Sequence, residues 1–225
     1  MRLLALDTST RWCGAALLDG DAATVRLIAE VGSLVEDSHT ARTLPMVEQL
    51  LALAGWDKAS LDAYAAVRGP GAFTGVRVAL GLVRGLALAT GRPCVGVGSL
   101  DAMAEAWGPA AGDRVPLLDA GRGEVYGARF DAAGSPPRAV LPAWVGDAGR
   151  ALDGGGEIVV FGGGAASQEP HLRDAGFLGS ICRTPTGVAA GAGRIALAML
   201  ADRPGADIDF TPLYVRPSDA EIRFR

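Results

Sequence analysis

Two aspartates in this chain each end an apolar run and precede a polar turn, a position in which a carboxylate can do chemistry. Asp7 follows RLLAL and Asp119 follows VPLL. A carboxylate at the end of a strand can orient a metal-bound water, while N–H groups of the adjoining hairpin hold phosphate. A phosphate loop also favours glycine directly after the aspartate, whereas Thr8 and Ser9 follow Asp7. An Asx or ST turn that ends the strand is therefore the favoured alternative.

Two glycine-rich stretches could bind an anion or a nucleotide. The first, GPGAFTGVRVALGLVRGLALATG (69–91), places a glycine turn before a long apolar helix, but matches neither G-x-x-x-x-G-K-[ST] nor G-x-G-x-x-G. Its backbone, with helix N–H groups behind, could still hold an anion. The second, Gly162–Gly164, suits either an adenosine lying against the backbone or a tight strand-to-helix connection. The candidate vestigial site comprises Asp7, Thr8, Ser9, Gly71, Thr74, Asp119 and Gly163.

Small residues recur at every fourth position of the helix predicted after the first glycine turn: Gly81, Gly85 and Ala89. Each glycine in a helix interior costs about 1 kcal/mol relative to alanine, so several of them imply that close backbone contact is gained in return. This favours packing against another element over phosphate binding. The neighbour can belong to this chain or to a partner, and the local sequence does not separate the two.

The first half of the chain predicts the element order βββαβα, which is that of a ribonuclease-H-like lobe. Its first helix is predicted between an N-cap at Asp37 or Ser38 and a stop at Gly55, with Pro45 in the first turn or at a kink. Helical spacing of Leu44, Val47, Leu51 and Ala54 makes this helix amphipathic.

The second half repeats the pattern of the first. Residues 115–134 (VPLLDAGRGEVYGARFDAAG) and 2–21 (RLLALDTSTRWCGAALLDGD) both read as strand, polar turn, strand and Asp-containing turn. A composition change at GPAAGD (108–113) marks the boundary, which predicts an N-terminal lobe at 1–107 and a C-terminal lobe at 108–225. The predicted fold class is α/β, with two related lobes of mixed sheet flanked by helices, as in actin-like ATPases and sugar kinases.

Composition limits the classes of function. With 225 residues, 49% of them hydrophobic, and a net charge of -4, the chain can bury a large core and is not predicted to bind nucleic acid strongly alone. Three cysteines without a C-x-x-C and two histidines without H-x-x-x-H predict neither disulfides nor a zinc site, and no cofactor is expected. The cysteine pattern fits a reducing cytoplasm, and Arg77 and Arg84 in the most apolar helix argue against a membrane span.

The chain resembles the bacterial TsaB (YeaZ) family of tRNA threonylcarbamoyladenosine synthesis. The matching segments are LLALDTST, SHTARTLPMVEQLL, RGPGAFTGVRVALGLVRGLAL, LLDAGRGEVYGARF and PLYVR, of which the third is the most specific. The resemblance implies a non-catalytic paralogue of the TsaD transferase. Where TsaD has a metal-binding H-x-x-x-H pair, alignment places Ser99 and Met103, which are poor substitutes for imidazole.

The resemblance also implies partners. TsaD would bind through the two N-lobe helices, the P-loop ATPase TsaE would join that pair, and the free chain would form a homodimer through the same lobe. The assembly would transfer threonylcarbamoyl from its adenylate to N6 of adenosine 37, so tRNA would be met only through the complex. The implied interface comprises Leu44, Val47, Leu51, Phe73, Arg77, Gly81, Gly85 and Ala89. The alternative is an actin-like ATPase or small-molecule kinase that uses Asp7, Asp119 and Gly162–Gly164; a metallopeptidase lacks the ligands.

Overall fold

The computed structural model describes residues 1–21, 23–35, 38–182 and 188–215, and these form two compact units. The first unit is Met1–Ala106 with the described part of Thr186–Pro212. The second is Trp107–Pro185 with the described part of Leu213–Arg225.

The first unit is built on a five-stranded mixed sheet. Its strands are β1 (Arg2–Asp7), β2 (Trp12–Gly20), β3 (Val25–Leu34), β4 (Ala63–Val67) and β5 (Cys94–Val97). They lie in the order β3-β2-β1-β4-β5, with β1 antiparallel to β2 and parallel to β4. Because side chains alternate along a strand, Leu4 and Leu6 of β1 enter the core on one face, and Leu3 and Ala5 enter the core on the other.

Helices cover both faces of this sheet. They are α1 (His39–Ala54), α2 (Phe73–Thr90), α3 (Ser99–Trp107) and α6 (Val188–Asp202). The helices α1 and α2 pack on the face that carries Leu4 and Leu6, and α6 packs on the opposite face. The helix α1 ends as predicted at Gly55, which adopts the left-handed conformation with φ 65°.

The start of α1 differs in part from expectation. Ser38 is the N-cap residue, but its side chain makes no capping hydrogen bond. Asp37, the other predicted cap, lies outside the described residues. Pro45 lies inside the helix, beyond its first turn, so the other predicted alternative, a kink, stays a prediction.

The second unit repeats the same sheet. Its strands are β6 (Asp113–Gly121), β7 (Glu124–Phe130), β8 (Ala139–Gly146), β9 (Ile158–Phe161) and β10 (Ile181–Cys182), and its helices are the short α4 (Gly163–Ser167) and α5 (Glu169–Asp174). The order is β8-β7-β6-β9-β10, with β6 antiparallel to β7 and parallel to β9. Adding five to each strand number of the first sheet reproduces this order, so the predicted fold class of two related mixed-sheet lobes is confirmed.

The predicted lobe boundary is corrected for the C-terminal helix. We predicted that residues 108–225 form the second lobe, yet α6 belongs to the first unit. Its glycines explain the fit, because a Cβ on Gly191 would collide with the carbonyl oxygen of Ala102, and one on Gly193 would collide with the side chain of Leu18. The local sequence shows only a helix rich in small residues. Which sheet the helix packs against is determined by contacts between distant parts of the chain.

The helix α2 is long and apolar enough to cross a membrane by length and composition alone, and it is the one such helix in the described part of the chain. Here it forms a layer of the first unit, with Val76, Ala79, Val83 and Ala87 buried. A core helix of a folded domain meets the same criteria, so α2 carries no membrane assignment.

Candidate functional sites on the first unit

The glycine turn before α2 packs against the turn that follows β1. A Cβ on Gly75 would collide with the carbonyl oxygen of Thr8, and one on Gly71 would collide with that of Ser9. The N–H of Ala72 donates to the same Ser9 carbonyl at 2.7 Å. These glycines are therefore needed for contact between two segments of one chain, which leaves a structural reason for them without any ligand.

The side chain of Thr8 stabilises this contact through hydrogen bonds to α2. Its side chain is fully buried, and its hydroxyl donates to the carbonyl of Gly75 at 2.6 Å and accepts from the N–H of Ala79 at 3.2 Å. In a regular α-helix the N–H of Ala79 would donate directly to the carbonyl of Gly75. The side chain of Thr8, the residue that follows β1, is thus inserted into the hydrogen-bond ladder of α2 and ties the turn to the helix.

Asp7 and Asp119 adopt the same local structure at equivalent positions of the two sheets. The Oδ1 atom of Asp7 accepts the N–H of Ser9 at 2.9 Å, and that of Asp119 accepts the N–H of Gly121 at 2.7 Å. Both are Asx turns, the alternative favoured for Asp7 from the sequence. They differ in exposure, because Asp7 is 2% exposed whereas Asp119 faces solvent.

Burial raises the pKa of the Asp7 carboxyl above its usual 3.8, although the hydrogen bonds with Ser9 and the nearby His39 lower it by less. His39 is half-buried, and its Nδ1 makes no hydrogen bond to any described residue. The environment of Asp7 therefore disfavours the carboxylate form that a metal or a positioned water would need.

Asp7→Asn is expected to stabilise the protein by about 1 kcal/mol or more at pH 7, because asparagine keeps the acceptor for Ser9 and removes a buried charge. A raised pKa in the folded state means that the folded state holds the proton more tightly, so wild-type stability falls as pH rises from 3.8 through the folded pKa. Urea unfolding at pH 7 and at about pH 3.5 checks this, since the stability difference between the two proteins should shrink as the carboxyl becomes protonated in both states.

Asp119→Asn is the matched control, because the same Asx turn lies in solvent and its stability should change little at either pH. A wild type more stable than Asp7→Asn at pH 7 would instead point to a cation that stabilises the buried carboxylate.

The remaining candidates of the vestigial site do not complete a phosphate clamp within either unit. Thr74 lies exposed in the first turn of α2. Gly163 is exposed at the start of the five-residue α4, and a Cβ there would meet nothing within 4 Å. Its neighbour Gly164 packs so closely on β6 that a Cβ would lie 2.8 Å from the carbonyl oxygen of Leu118. The tight strand-to-helix connection, one of the two alternatives for this run, accounts for Gly164.

The two positions aligned with the H-x-x-x-H pair are both buried. Ser99 is 1% exposed, and its hydroxyl donates to the carbonyl of Pro70, while Met103 is 2% exposed. The Ser99 hydroxyl is thus engaged in fixing the glycine turn. Cys94 in β5 is also buried, and burial raises the pKa of its thiol.

The predicted interface residues of α1 need a correction. Val47 is 1% exposed and Leu51 is 4% exposed, so both belong to the core of the first unit. Of the three residues predicted on this helix, Leu44 alone is exposed. The apolar face of an amphipathic helix packs on its own sheet, and the opposite face is left for other contacts. That outward face carries Pro45, Glu48, Gln49, Ala52 and Leu53 beside Leu44.

The predicted residues of α2 are exposed. Gly81, Gly85 and Ala89 face outward, and a Cβ on either glycine would meet nothing within 4 Å. Phe73 is 44% exposed and lies under the Arg77 guanidinium, with the Arg77 Cζ atom 3.8 Å from the ring centroid. A side chain at Gly81 or Gly85 would therefore begin in open space within the described part of the chain.

The sequence analysis did not identify two large, exposed apolar residues. Leu53 at the end of α1 and Leu88 at the end of α2 are 72% and 71% exposed. Their positions in the helical repeat indicate that they are exposed, since each falls on the side of its helix away from the buried residues. We call the outward faces of α1 and α2 together the helix-pair surface: its flat part is Gly81, Gly85 and Ala89, and its apolar projections are Leu44, Leu53, Phe73 and Leu88.

The duplicated sheets with helices on both faces of the first unit define a protein of the actin-like, ribonuclease-H-like class. Residues 31–159 match the family model of TsaD, tRNA N6-adenosine threonylcarbamoyltransferase. The structure superposes on YeaZ from Pseudomonas aeruginosa with a TM-score of 0.76 and 28% identity, covering 95% of this chain and 99% of that one. The chain belongs to the TsaB/YeaZ family, as the sequence motifs indicated.

Two sequence relatives define the extent of this similarity. The tRNA threonylcarbamoyladenosine biosynthesis protein TsaB of Escherichia coli is 40% identical over 132 residues, which cover 58% of this chain and 55% of that protein. The match thus spans about half the length of this curated relative. An uncharacterized protein of Mycobacterium tuberculosis is 32% identical over 219 residues, covering 97% of this chain and 93% of that protein.

Proposed function

We propose that this chain acts in the synthesis of threonylcarbamoyladenosine in tRNA, as a non-catalytic subunit that binds a TsaD-type transferase through the helix-pair surface. The reaction served is transfer of threonylcarbamoyl from threonylcarbamoyl-AMP to N6 of adenosine 37. The observation that carries this proposal is the open stripe of Gly81 and Gly85 on α2, whose cost in helix propensity is offset by no close contact among the described residues. A second subunit lying flush against α2 would supply that contact.

The composition of the helix-pair surface supports a protein partner. Large apolar side chains, Leu53 and Leu88 among them, project beside a stripe with almost no side-chain bulk. Exposed apolar residues that cluster in this way mark interaction sites more often than isolated ones do. Projecting side chains beside a row of small residues allow a partner helix to pack closely against the backbone of α2.

The state of the candidate nucleotide site supports a non-catalytic role. The space beside Gly71 and Gly75 is filled by the carbonyl oxygens of Ser9 and Thr8, and these negatively polarised atoms repel phosphate. The alternative, an actin-like ATPase or kinase that uses Asp7, Asp119 and Gly162–Gly164, requires that these groups bind a nucleotide. Calorimetric titration of the chain with ATP separates the two, because micromolar binding that is lost in Asp7→Ala would support the enzyme.

Other features of the proposed assembly follow from the same surface. The P-loop ATPase TsaE would join the pair, tRNA would be bound through the complex, and the free chain would form a homodimer by burying the helix-pair surface on itself. A cytoplasmic location and the absence of a cofactor belong to the same proposal.

Gly85→Leu is expected to weaken association with the TsaD-type subunit of the same organism by about 100-fold or more, since a bulky side chain then stands on the flat part of the surface. The free chain should fold normally, because the Cβ position of Gly85 is open. Ala201→Leu is the matched control, as it also enlarges an exposed helical position, but on α6. Affinity measured by calorimetry, and formation of threonylcarbamoyladenosine in a reconstituted assay with and without this chain, give the two readouts.

Equal binding and modification by Gly85→Leu and Ala201→Leu would show that the partner lies elsewhere. Full modification without this chain would refute the proposed role itself. Leu51→Asp is unsuitable as a test, because a charge at this core position would unfold the first unit.

A further inference from the structure

A groove of about 450 Å³ lies beside the helix-pair surface, within the first unit. One wall is α2, through Arg77, Gly81 and Arg84. The other is the segment that follows α6, through Phe210, Thr211 and Pro212. We call residues 207–212 the return segment. Because Gly81 belongs to both, the groove and the helix-pair surface are continuous.

The return segment is held firmly at the edge of the sheet. The N–H of Ile208 donates to the carbonyl of Cys94 at 3.0 Å, and the N–H of Gly96 donates to the carbonyl of Ile208 at 2.9 Å. A Cβ on Gly96 would collide with the carbonyl oxygen of Asp209, so the close approach requires glycine. Ile208 is 1% exposed in the core of one face, and Phe210 packs against the core of the other. The segment therefore wraps around β5 and gives the groove a fixed wall.

Asp207 joins this wall to α2. Its Oδ1 accepts the N–H of Cys94 at 3.0 Å, and its other oxygen forms an ion pair with Arg84. Both charged side chains remain nearly half exposed, at 46% for Arg84 and 45% for Asp207. The carboxylate thus sets the position of the Arg84 guanidinium at the groove.

The groove is cationic and apolar in an acidic protein. Among the described residues, its lining holds two guanidinium groups, those of Arg77 and Arg84, and one carboxylate, that of Asp207, although the chain carries -4. The sequence of α2 contains no acidic residue. Arg77 and Arg84 lie seven residues apart, which places them on one helix face with Gly81 between. Phe210 and Pro212 supply apolar surface opposite.

We infer that this groove receives a carboxylate-bearing side chain of the partner subunit together with an adjacent apolar one, which extends the partner interface from the helix-pair surface to the return segment. This rests on the proposed function. The partner's carboxylate pairs with the Arg77 guanidinium, a charge-assisted contact with more directional preference than apolar packing. Its apolar neighbour fills the space over Gly81 against Phe210 and Pro212.

Arg77→Glu is expected to raise the dissociation constant for the TsaD-type subunit by about tenfold or more, because like charges then meet in the groove. Arg92→Glu makes the same charge change on an exposed residue just beyond α2 and outside the groove lining, so its affinity should stay within about twofold of wild type. Thr211→Glu places a negative charge on the opposite wall without altering a helix and should weaken binding similarly. Circular dichroism and urea unfolding of each variant check that the chain is folded.

Wild-type affinity measured from about 50 to about 500 mM NaCl gives a readout that needs no variant, since binding through paired charges weakens as salt screens them. Weakening by salt, by Arg77→Glu and by Thr211→Glu, with Arg92→Glu unaffected, supports the inference. If Gly85→Leu prevents association but salt, Arg77→Glu and Thr211→Glu have no effect, the groove is not occupied in this way and the proposed function still stands. If Gly85→Leu also has no effect, the proposed interface fails with it.

Discussion

Gly75→Ala is expected to destabilise the protein by about 3 kcal/mol, although alanine is the better helix former. The added Cβ would collide with the carbonyl oxygen of Thr8, which is backbone and cannot rotate away. Relief of the collision requires moving the first turn of α2 from the turn after β1, and this movement breaks the two hydrogen bonds of the Thr8 hydroxyl. Chemical denaturation followed by circular dichroism measures the loss.

Gly85→Ala, in the same helix, is expected to have the opposite effect on stability. Its Cβ position is open, so the substitution should stabilise the protein by up to about 1 kcal/mol through helix propensity. A pair of substitutions of identical chemistry in α2 would then differ in sign. If Gly75→Ala were as stable as Gly85→Ala, the close packing of the glycine turn against Thr8 would be refuted, and an open anion site would have to be considered again.

Arg114→Met is expected to cost about 3 to 5 kcal/mol in the second unit, because it removes a buried cation from a set of groups that depend on it. Arg114 is 1% exposed, and its guanidinium donates to the carbonyls of Asp131 at 2.7 Å and Gly134 at 2.7 Å and to the Asp131 carboxylate at 3.1 Å. Methionine fills much of the volume but removes the donor from these partly buried acceptors. Loss of structure around 131–134 should appear in hydrogen exchange before global unfolding.

Arg150→Met is the control for this prediction. Arg150 is half exposed and lies 3.9 Å from the Asp153 carboxylate, an arrangement worth at most about 0.5 kcal/mol. Similar losses in both variants would mean that the Arg114 network contributes little beyond an ordinary surface charge.

Much of the architecture could be read from the chain because local pattern and global fold agree. The apolar run before Asp7, the glycine that ends α1 and the repeated hairpin pattern predicted a strand, the helix end and the duplication that the two sheet orders display. These features depend on neighbours in sequence. The family motifs in the same segments led to the family that the comparisons then established.

The candidate site was harder to predict, since its meaning depends on residues far apart in the chain. Thr8 and Gly75 are separated by 67 positions, and no local pattern shows that a carbonyl fills the space beside the glycine. The apolar spacing of Val47 and Leu51 was detected correctly, but spacing marks a helix face without saying what covers it. Both residues proved to pack on their own sheet.

The order of strands and helices, the helix ends and the small-residue stripe of α2 were therefore encoded in short-range pattern, because each follows from steric and hydrophobic preferences of adjacent residues. Three features required the folded chain: the docking of α6 on the first sheet, the filling of the glycine turn by the chain's own carbonyls, and the pairing of Asp207 with Arg84 across 123 positions. Each is a contact between distant segments. Long-range packing, and not residue type, decides whether a glycine faces a neighbour, a ligand or open solvent.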